Sequence, residues 1–324
     1  MAVVDAMKKT HSQIIRGGLL SLRGGKNFRY DVVGLSLNDP NVVQQEIFRM
    51  IIADSPCMIA RFGSVELQAV VDYLYPPTLK NAIRFVKGEI PSWGYAPSTM
   101  KTMRINAGFF PSTRVMLDRF GQLMLECAPQ VDMLGSWRKE EAAVVQYMSC
   151  AKRVPLFALE PYYFDNPWTP ALEGKKVLVI HPFEDTIRKQ HERYELLFAD
   201  KRLAPKYELQ TLRAVQSIAG NKPADFDDWF QALDWMKGEI DKRDFDIAII
   251  GCGAYGFPLA AYVKQIGKKA LHLGGAVANL FGIKSNAVEK KNKSLVSQVN
   301  EYWVRPDVSE TPLGVDMVEN SRYW

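Results

Sequence analysis

Residues 246–273, DIAIIGCGAYGFPLAAYVKQIGKKALHL, contain a complete strand, turn, helix and strand. The run DIAIIG is short and apolar and leads into glycine, which is typical of a buried strand. A helix from about Tyr255 to Ile266 is predicted next, followed by a second strand, KALHL. Because uninterrupted apolar strands that alternate with helices form parallel sheets, this unit predicts a parallel crossover.

The same alternation begins at residue 176. KVLVI (176–180) predicts a strand, and a helix that starts near residue 185 follows, with an apolar side that extends to Phe198. YELQTLRAV (207–215) alternates like a strand. DFDDWFQALDWMKGEIDKR (225–243) has apolar residues at helical spacing, with acids in its first turn and bases in its last, which suits the helix dipole. The predicted order from residue 176 onwards is βαβαβαβ.

The first half of the chain is less regular but compatible with the same architecture. Three segments read as strands: CMIARF (57–62), QVDML (130–134) and VPLFAL (154–159). Three segments read as helices: 65–75, 112–127 and 139–150. The predicted class is α/β, with a Rossmann-like, mostly parallel sheet covered by helices on both faces.

Composition indicates an ordinary globular protein of 324 residues, with 47% hydrophobic and 24% charged residues. The formal net charge of +5 lies entirely in residues 1–30, which hold six bases and one acid, so the remainder is neutral and no nucleic-acid partner is expected. The predicted organisation is a basic N-terminal arm with a helical lead-in (1–44), a catalytic α/β domain (45–290) and a C-terminal extension packed on it (291–324). The arm can be a solvated lead-in or can contact an anionic membrane surface.

Cysteine usage and hydropathy indicate the cellular compartment in which the protein is expected. The four cysteines are far apart and form no C-x-x-C pair, so neither a zinc cluster nor a disulfide framework is indicated. The most apolar stretch, 248–263, is broken by glycines and a proline and is shorter than the roughly 18 to 20 residues that span a bilayer. The N-terminus lacks the apolar core of a secretory signal. We expect a cytoplasmic protein, at most peripheral at the inner face of a membrane.

Ligands of parallel sheets bind outside the carboxyl ends of the strands, which converts strand predictions into candidate site segments. Each of these strand ends has polar, glycine or aromatic residues, as loops generally do. Their convergence on one edge is the stronger argument. The segments are RFGS (61–64), GSW (135–137), EPYY (160–163), HPFED (181–185), QSIAG (216–220), GCGAYG (251–256) and GGA (274–276).

GCGAYG matches G-x-G-x-x-G between a strand and a helix, the context in which Gly251 and Gly253 would let the backbone approach a phosphate at a helix N-terminus. A nicotinamide dinucleotide would also require an acid about 20 residues further on. The next strand instead ends in His272 and Leu273. A turn that contacts some nucleotide phosphate is therefore the stronger interpretation, and NAD(P) binding the weaker.

ARFGSVE (60–66) follows the first predicted strand. Arg61 can be a fixed cation for a diphosphate, Gly63 permits close backbone approach, and Ser64 can cap the next helix. Glu66 has two interpretations: an acid that stabilises the first helical turn, or a carboxylate that binds a metal or faces a reacting sugar. Since a carboxylate repels a diphosphate, a catalytic Glu66 predicts a divalent metal or close use of Arg61.

Two histidines end strands. His181 and His272 can hydrogen-bond a ligand or act as acid or base, although each is as readily a structural histidine. Aromatic residues in NAGFF (106–110), SW and PYYF can stack on a base or sugar, or belong to the core. The sequence lacks the G-x-S-x-G, G-x-x-x-x-G-K-[ST] and H-E-x-x-H motifs, which removes the usual support for hydrolases, P-loop kinases and zinc proteases.

These elements resemble a known group. ARFGSVE is similar to the Arg-[Phe/Tyr]-Gly-Asp-x-Glu element of GT-D-type glycosyltransferases. Residues 45–324 resemble a set of bacterial polysaccharide-locus proteins assigned to that fold. The shared stretches are NAGFFP, LGSW, EPYY, NPW, GKKVLVIHPFEDTI, AVQSIAG, DFDIAIIGCGAYGFPLAAYVK, HLGGA, LFGIK and RYW.

The resemblance implies transfer of a sugar from a nucleotide diphosphate sugar, usually UDP-linked, to a glycan or lipid-linked acceptor during surface polysaccharide biosynthesis. In the family pattern, the Asp-x-Glu pair lies at the nucleotide-sugar and metal site. Here Ser64 replaces the Asp and only Glu66 matches, so a Mn²⁺ or Mg²⁺ ion would have a single carboxylate from this element. The alternatives are an NAD(P)-dependent oxidoreductase that uses GCGAYG and a non-catalytic nucleotide-sugar-binding protein.

The candidate site follows from both lines of argument. The catalytic candidates are Glu66, which is also the candidate metal ligand, His181 and Glu160. The candidates for nucleotide-sugar binding are Arg61, Phe62, Gly63, Ser64, Asn106, Trp137, Gly251, Gly253, Tyr255 and Gly275.

Overall fold

A computed structural model describes residues 2–31, 34–286, 288, 293–322 and 324, with side chains from residue 13 onwards except at 293 and 294. Over these residues seven strands form one all-parallel sheet in the order β3-β2-β1-β7-β6-β4-β5. This confirms the predicted α/β class with a Rossmann-like sheet. The strands are β1 Cys57–Ala60, β2 Met133–Ser136, β3 Lys152–Pro155, β4 Lys176–His181, β5 Glu208–Arg213, β6 Ile247–Ile250 and β7 Lys269–His272.

Helices lie on both faces of the sheet. Ten helices of the described chain are named below, and a further short helix, Lys293–Val296, follows the last of these ten. The helices are α1 Ala2–Arg23, α2 Pro40–Ile52, α3 Ser64–Leu74, α4 Leu79–Lys87, α5 Pro97–Ile105, α6 Arg114–Cys127, α7 Glu184–His191, α8 Trp229–Asp241, α9 Gly256–Gln265 and α10 Ala276–Leu280.

Alternate side chains of each strand feed two separate apolar cores. In β1, Met58 and Ala60 pack with α3, α6, α8 and α9, whereas Ile59 packs on the opposite face with α2 and α7. This alternation is the period of two that any strand imposes. The central strands β1, β4, β6 and β7 are therefore covered on both faces, which explains why they are largely apolar, whereas the edge strands β3 and β5 contain exposed polar residues.

The strand order places the centre of the sheet late in the chain. The chain moves outwards from β1 to β3, crosses to β4 and β5, and then fills the gap with β6 and β7. The helices that follow β1, β6 and β4 consequently lie on different faces: α3 and α9 on one, α7 on the other. Parallel sheets bind ligands at the carboxyl edge where neighbouring connections diverge in this way, and here that place lies among β1, β7, β6 and β4.

In three places the sequence predicted more regular helix or strand than the structure has. The predicted helix 139–150 is two 3₁₀ turns, Lys139–Ala143 and Val145–Tyr147. The predicted strand 154–159 is paired only up to Pro155 and then forms a 3₁₀ turn, Leu156–Leu159. The helix after β4 ends at His191 rather than near Phe198. In each case buried residues continue past the end of the element, so tertiary packing, not local period, fixes the chain there.

The ends of the chain contribute to the core. Asp39 caps α2 by accepting from the Asn41 N–H at 2.9 Å, and α2 buries Val43 and Ile47 completely. The predicted boundary at residue 44 therefore falls inside α2. Trp303 is buried in the same core, and its Nε1 donates to the Leu197 oxygen at 2.8 Å. Within the described residues, no helix is both long enough and apolar enough to cross a membrane.

Candidate functional site

The carboxyl edge brings together four residues that end the central strands. Strand pairing sets Ile250 of β6 opposite His272 of β7 and Ile180 of β4. Arg61 directly follows β1, and β1 pairs with β7 on the side of β7 that faces away from β6. Arg61, His272, Gly251 and His181 therefore stand next to one another along this edge, and the candidate site is built around them.

Arg61 is held in place by aromatic and glycine neighbours. Its guanidinium carbon lies 5.0 Å from the centroid of the Trp137 ring, close enough for a cation–π contact. Trp137 in turn donates from Nε1 to the Phe62 oxygen at 3.0 Å. Gly274, with φ of 60°, leaves space on the other side, because a Cβ there would lie 3.3 Å from Arg61 Nη1. The sequence predicted Arg61 and Trp137 separately, and the structure brings them into contact.

The charge of Arg61 acts on three glutamates from three different segments. Burial raises the pKa of Glu66, Glu141 and Glu160, and in each case the positive charge of Arg61 partly offsets the increase. These carboxyls come from the start of α3, the turn after β2 and the residue that follows the 3₁₀ turn Leu156–Leu159. One guanidinium thus faces three carboxyls whose protonated form is favoured by burial.

The start of α3 accommodates the carboxyl of Glu66. A Cβ at Gly63 would lie 1.9 Å from Glu66 Oε2, so the lack of a side chain at Gly63 makes room for this carboxyl. The backbone itself does not require glycine there, because the φ of Gly63 is −69°. Glu66 accepts a hydrogen bond from its own backbone N–H, and Glu319 raises its pKa further through charge repulsion. Ser64 is the first residue of α3. The carboxyl therefore caps the helix in this structure.

Glu141 is a site residue that sequence reasoning missed. It is 3% exposed, and its Oε1 accepts from the N–H groups of Trp137 and Arg138 at 3.1 Å each. These bonds fold residues 137–141 back on themselves and orient the Trp137 ring towards Arg61. An acid five residues after the end of β2 was the available signal, but the segment was read as a helix, which hid it.

Glu160 is oriented by a short polar chain. The Tyr162 hydroxyl donates to Glu160 Oε2, and Asn279 Nδ2 donates to the Tyr162 oxygen at 3.0 Å. Tyr162 is 2% exposed, and burial raises its pKa well above the usual value for tyrosine. Tyr162 therefore stays a donor at physiological pH, which leaves the other oxygen of Glu160 available as an acceptor. Tyr162 and Asn279 were not among the predicted site residues.

His181 is a neutral ring with a defined tautomer. Its Nδ1 accepts from the Phe183 N–H at 3.0 Å, so the proton of the neutral ring is on Nε2. Burial lowers its pKa to about 3. His181 is thus arranged to donate a hydrogen bond from Nε2, not to accept a proton there.

His272 has the opposite tautomer. Its Nδ1 lies 3.3 Å from the Ile250 carbonyl oxygen and must donate to it, which leaves Nε2 as an acceptor. Burial, together with the charge of Arg61, lowers its pKa to about 3. Its ring occupies the space beside Gly256, where a Cβ would lie 2.2 Å from Cε1.

The glycines of GCGAYG have different roles. A Cβ at Gly251 would lie 2.5 Å from the Gly274 oxygen, so this glycine serves internal packing. Gly253 is exposed, has φ of 57° and has only the Ala107 oxygen near its Cβ position, at 3.5 Å. The side chain of Cys252 makes no capping hydrogen bond to any described residue. Gly253 therefore keeps the start of a 3₁₀ turn, Gly253–Tyr255, open to an incoming group.

Other predicted ligand residues are placed as follows. Tyr255 is 2% exposed and stacks on Trp229 with centroids 4.7 Å apart, so its ring is occupied by the core. Phe62 is likewise buried, against Phe257 at 4.6 Å. Asn106 immediately precedes Ala107 and so lies near Gly253. Gly275 is exposed at the start of α10.

The C-terminal segment covers a neighbouring part of the edge. Glu310, which is 5% exposed, accepts from the N–H groups of Asp185 at 2.7 Å and Thr186 at 3.2 Å. It thereby occupies the N-terminus of α7. Arg213 lies 3.9 Å from Glu310 Oε1 and balances its charge.

No group of three or more His, Cys, Asp or Glu residues within the described part of the chain could hold a metal ion. Glu66, the candidate ligand, turns its carboxyl towards its own helix, and Ser64 supplies no second carboxylate. The residues present do not fit a metal held by the protein alone.

Comparisons with known proteins do not extend these observations. The chain matches no family model, and no curated protein or solved structure matches it. The fold and the edge define a Rossmann-like α/β protein, and membership of the GT-D group stays a prediction.

Proposed function

We propose that the protein is a glycosyltransferase that takes a sugar from a nucleotide diphosphate sugar, of the UDP type, and transfers it to a glycan or lipid-linked acceptor of surface polysaccharide biosynthesis. The position of Arg61 is the observation that supports this proposal. It is a cation at the centre of the carboxyl edge, between Trp137 and Gly274, where a parallel sheet binds its ligands.

The charge balance around Arg61 favours an anionic ligand. Three ionised carboxylates close to one guanidinium would repel a diphosphate. Because burial raises the pKa of Glu66 and Glu141, less negative charge opposes the ligand than the residue types suggest, and Glu160 is the one carboxylate that the proposed step requires in its ionised form. Arg61 can then form charge-assisted hydrogen bonds to phosphate oxygens, and the open turn at Gly253 can supply backbone N–H donors.

Glu160 is the best-placed general base. Its pKa is raised by burial, which brings a carboxylate closer to the range useful for proton transfer near neutral pH. In the proposed step the acceptor hydroxyl gives its proton to Glu160 while its oxygen bonds to the anomeric carbon. The bond from that carbon to the diphosphate oxygen breaks, and the nucleoside diphosphate leaves with the electron pair. His181, with its proton on Nε2, would donate a hydrogen bond to donor or acceptor.

Stabilising charge on the leaving diphosphate is the main task of such an enzyme, and Arg61 would perform it. We derive no step through a divalent metal, because the described residues do not form a site for one. A lipid-linked acceptor would place the enzyme at the inner face of a membrane.

Calorimetric titration with UDP and UDP-sugars tests the site. We expect Arg61→Ala to weaken binding by roughly 10- to 100-fold, the size expected for hydrogen bonds to a charged group. Arg138→Ala is the matched control, since Arg138 also lies near the Trp137 ring, at 5.4 Å, but pairs with Glu140 at 3.0 Å. Unchanged affinity in Arg61→Ala would overturn the assignment.

A second variant tests the chemistry. Glu160→Gln should keep donor affinity and lose transfer by roughly 10²- to 10⁴-fold, as removal of a general base does. A thermal-shift screen of UDP, GDP, their sugars and NAD(P)H, with and without Mn²⁺, separates the alternatives. Stabilisation by nicotinamide nucleotides alone would favour an oxidoreductase, and donor binding without transfer would favour a non-catalytic binding protein.

A further inference from the structure

Helices α1 and α4 pack against each other at one side of the molecule. Arg23 of α1 places its guanidinium carbon 4.2 Å from the centroid of the Phe85 ring in α4. Arg16 reaches further, and its Nη1 donates to the Trp93 oxygen at 2.9 Å. These two arginines therefore mark the inner side of α1.

The outer sides of both helices are apolar. On α1, Ile14, Ile15 and Leu22 are 68%, 47% and 69% exposed. On α4, Leu79 and Ile83 are 80% and 51% exposed and stand four residues apart, on one side of the helix. Large aliphatic side chains grouped in this way on adjacent helices are unusual on a protein that has no partner there.

Basic residues surround these apolar side chains. Lys26, Arg29, Lys80 and Lys87 are all exposed. Apart from Arg16 and Arg23 on the inner side, residues 13–31 and 76–90 together hold five bases and only two acids, Asp31 and Glu89. Apolar side chains flanked by lysine and arginine are the pattern of helices that lie in the interface of an anionic membrane.

We propose that this α1–α4 surface, formed by Ile14, Ile15, Leu22, Leu79 and Ile83 with their basic neighbours, binds the surface of an anionic lipid membrane. A second copy of the chain is the weaker occupant, because it would bring the same positive charge to the contact. The aliphatic side chains would enter the boundary between headgroups and acyl chains, while the bases contact lipid phosphates. The surface contains none of the residues of the candidate site, so its function is independent of the transferase.

Vesicle flotation of the full chain tests the proposal. We expect the protein to float with vesicles of phosphatidylcholine and phosphatidylglycerol at low salt, and not with phosphatidylcholine alone. The variant with Ile14→Asp and Leu22→Asp should lose at least about tenfold in vesicle affinity, since two aliphatic side chains that would enter the lipid are replaced by charged ones. Leu79→Asp with Ile83→Asp should have a similar effect, which guards against a fault in α1 alone.

A matched control uses apolar residues elsewhere. Val308 and Leu313 are 87% and 86% exposed in the C-terminal segment, and Val308→Asp with Leu313→Asp should float like the unchanged protein. Circular dichroism confirms that each variant is folded. No flotation of the unchanged protein, or equal flotation of the Ile14 and Leu22 variant, would overturn the proposal. So would self-association by sedimentation that the same variant abolishes, which would identify a second copy as the occupant.

Discussion

Gly256 is a position where a single methyl group decides stability. A Cβ there would lie 2.2 Å from Cε1 of the buried His272 ring. We expect Gly256→Ala to lower the free energy of unfolding by about 2 to 3 kcal/mol, because a ring enclosed at the end of β7 cannot move aside without strain. Gly238→Ala in α8 is the control, since no described atom lies within 4 Å of its Cβ position, and it should add about 0.5 to 1 kcal/mol. Urea unfolding that gives both variants the same stability would contradict this contact.

His181 sets part of the pH dependence of stability. Its pKa in the folded protein is about 3, below the value of about 6.5 for an unfolded chain. As the pH falls through 6.5, His181 binds a proton in the unfolded state but not in the folded state. The free energy of unfolding therefore decreases on acidification from pH 7 towards the pKa of the folded protein.

Replacing His181 by asparagine should remove this contribution. The Asn oxygen can accept from the Phe183 N–H in place of Nδ1 without titrating. We expect the loss of stability between pH 7 and pH 5 to be about 2 kcal/mol smaller in His181→Asn than in the unchanged protein. Urea unfolding at several pH values measures this difference. Parallel pH profiles of the two proteins would show that His181 does not titrate as described.

At the scale of elements, α7 depends on a distant segment for its cap. Glu310 accepts from the N–H groups of Asp185 and Thr186 and from the Thr186 hydroxyl. Glu310→Ala should cost about 1 to 2 kcal/mol, as loss of a helix cap does, and should speed hydrogen exchange both in α7 and in the C-terminal segment. Asp316→Ala, at an exposed position of that segment, should change neither. Faster exchange in α7 alone would show that Glu310 does not anchor the segment.

The regular elements could be predicted from sequence wherever the local period and the buried face agree. The order βαβαβαβ after residue 176 is confirmed, with α8 and α9 close to their predicted bounds. Residues 139–150 could not be predicted, because their helical spacing reflects burial of Val144 in a core formed by distant segments. A pattern local in sequence carries no information about such contacts.

The candidate site was predictable to the extent that it follows strand ends. Arg61 and His181 were found because each directly follows or ends a buried strand. Glu160 was found because it follows the predicted strand 154–159, whose second part is a 3₁₀ turn in the structure. Glu310 was not, since the N–H groups that it accepts from, those of Asp185 and Thr186, are distant in sequence. Glu141 was missed for a different reason: its donors Trp137 and Arg138 are local, but the segment was read as a helix. The tautomers of His181 and His272 could not be predicted from the sequence either. Each tautomer depends on the backbone group that Nδ1 contacts, the Phe183 N–H for His181 and the Ile250 carbonyl for His272.

At the scale of the whole molecule, both ends of the chain complete one core. Val43 and Ile47 from α2, Leu295 from the helix Lys293–Val296, and Trp303 are each at most 2% exposed. They pack together on the same face of the sheet as α7. Val43, Leu295 and Trp303 lie outside residues 45–290, so segments on either side of that range help to close the face of the sheet that α2 covers.

Truncation tests this dependence. A chain of residues 45–290 lacks Val43, Leu295 and Trp303, and removal of buried side chains of this size costs several kcal/mol each, which approaches the whole stability of a typical domain. We expect that fragment to lose cooperative unfolding. A chain that begins at residue 34 lacks α1 and the segment up to residue 33, with the contacts of Arg16, Arg23 and Tyr30, and should melt cooperatively, lower by roughly 2 to 4 °C. Calorimetry of the two fragments decides, because a sharp, unchanged transition in residues 45–290 would show that the α/β domain folds without its ends.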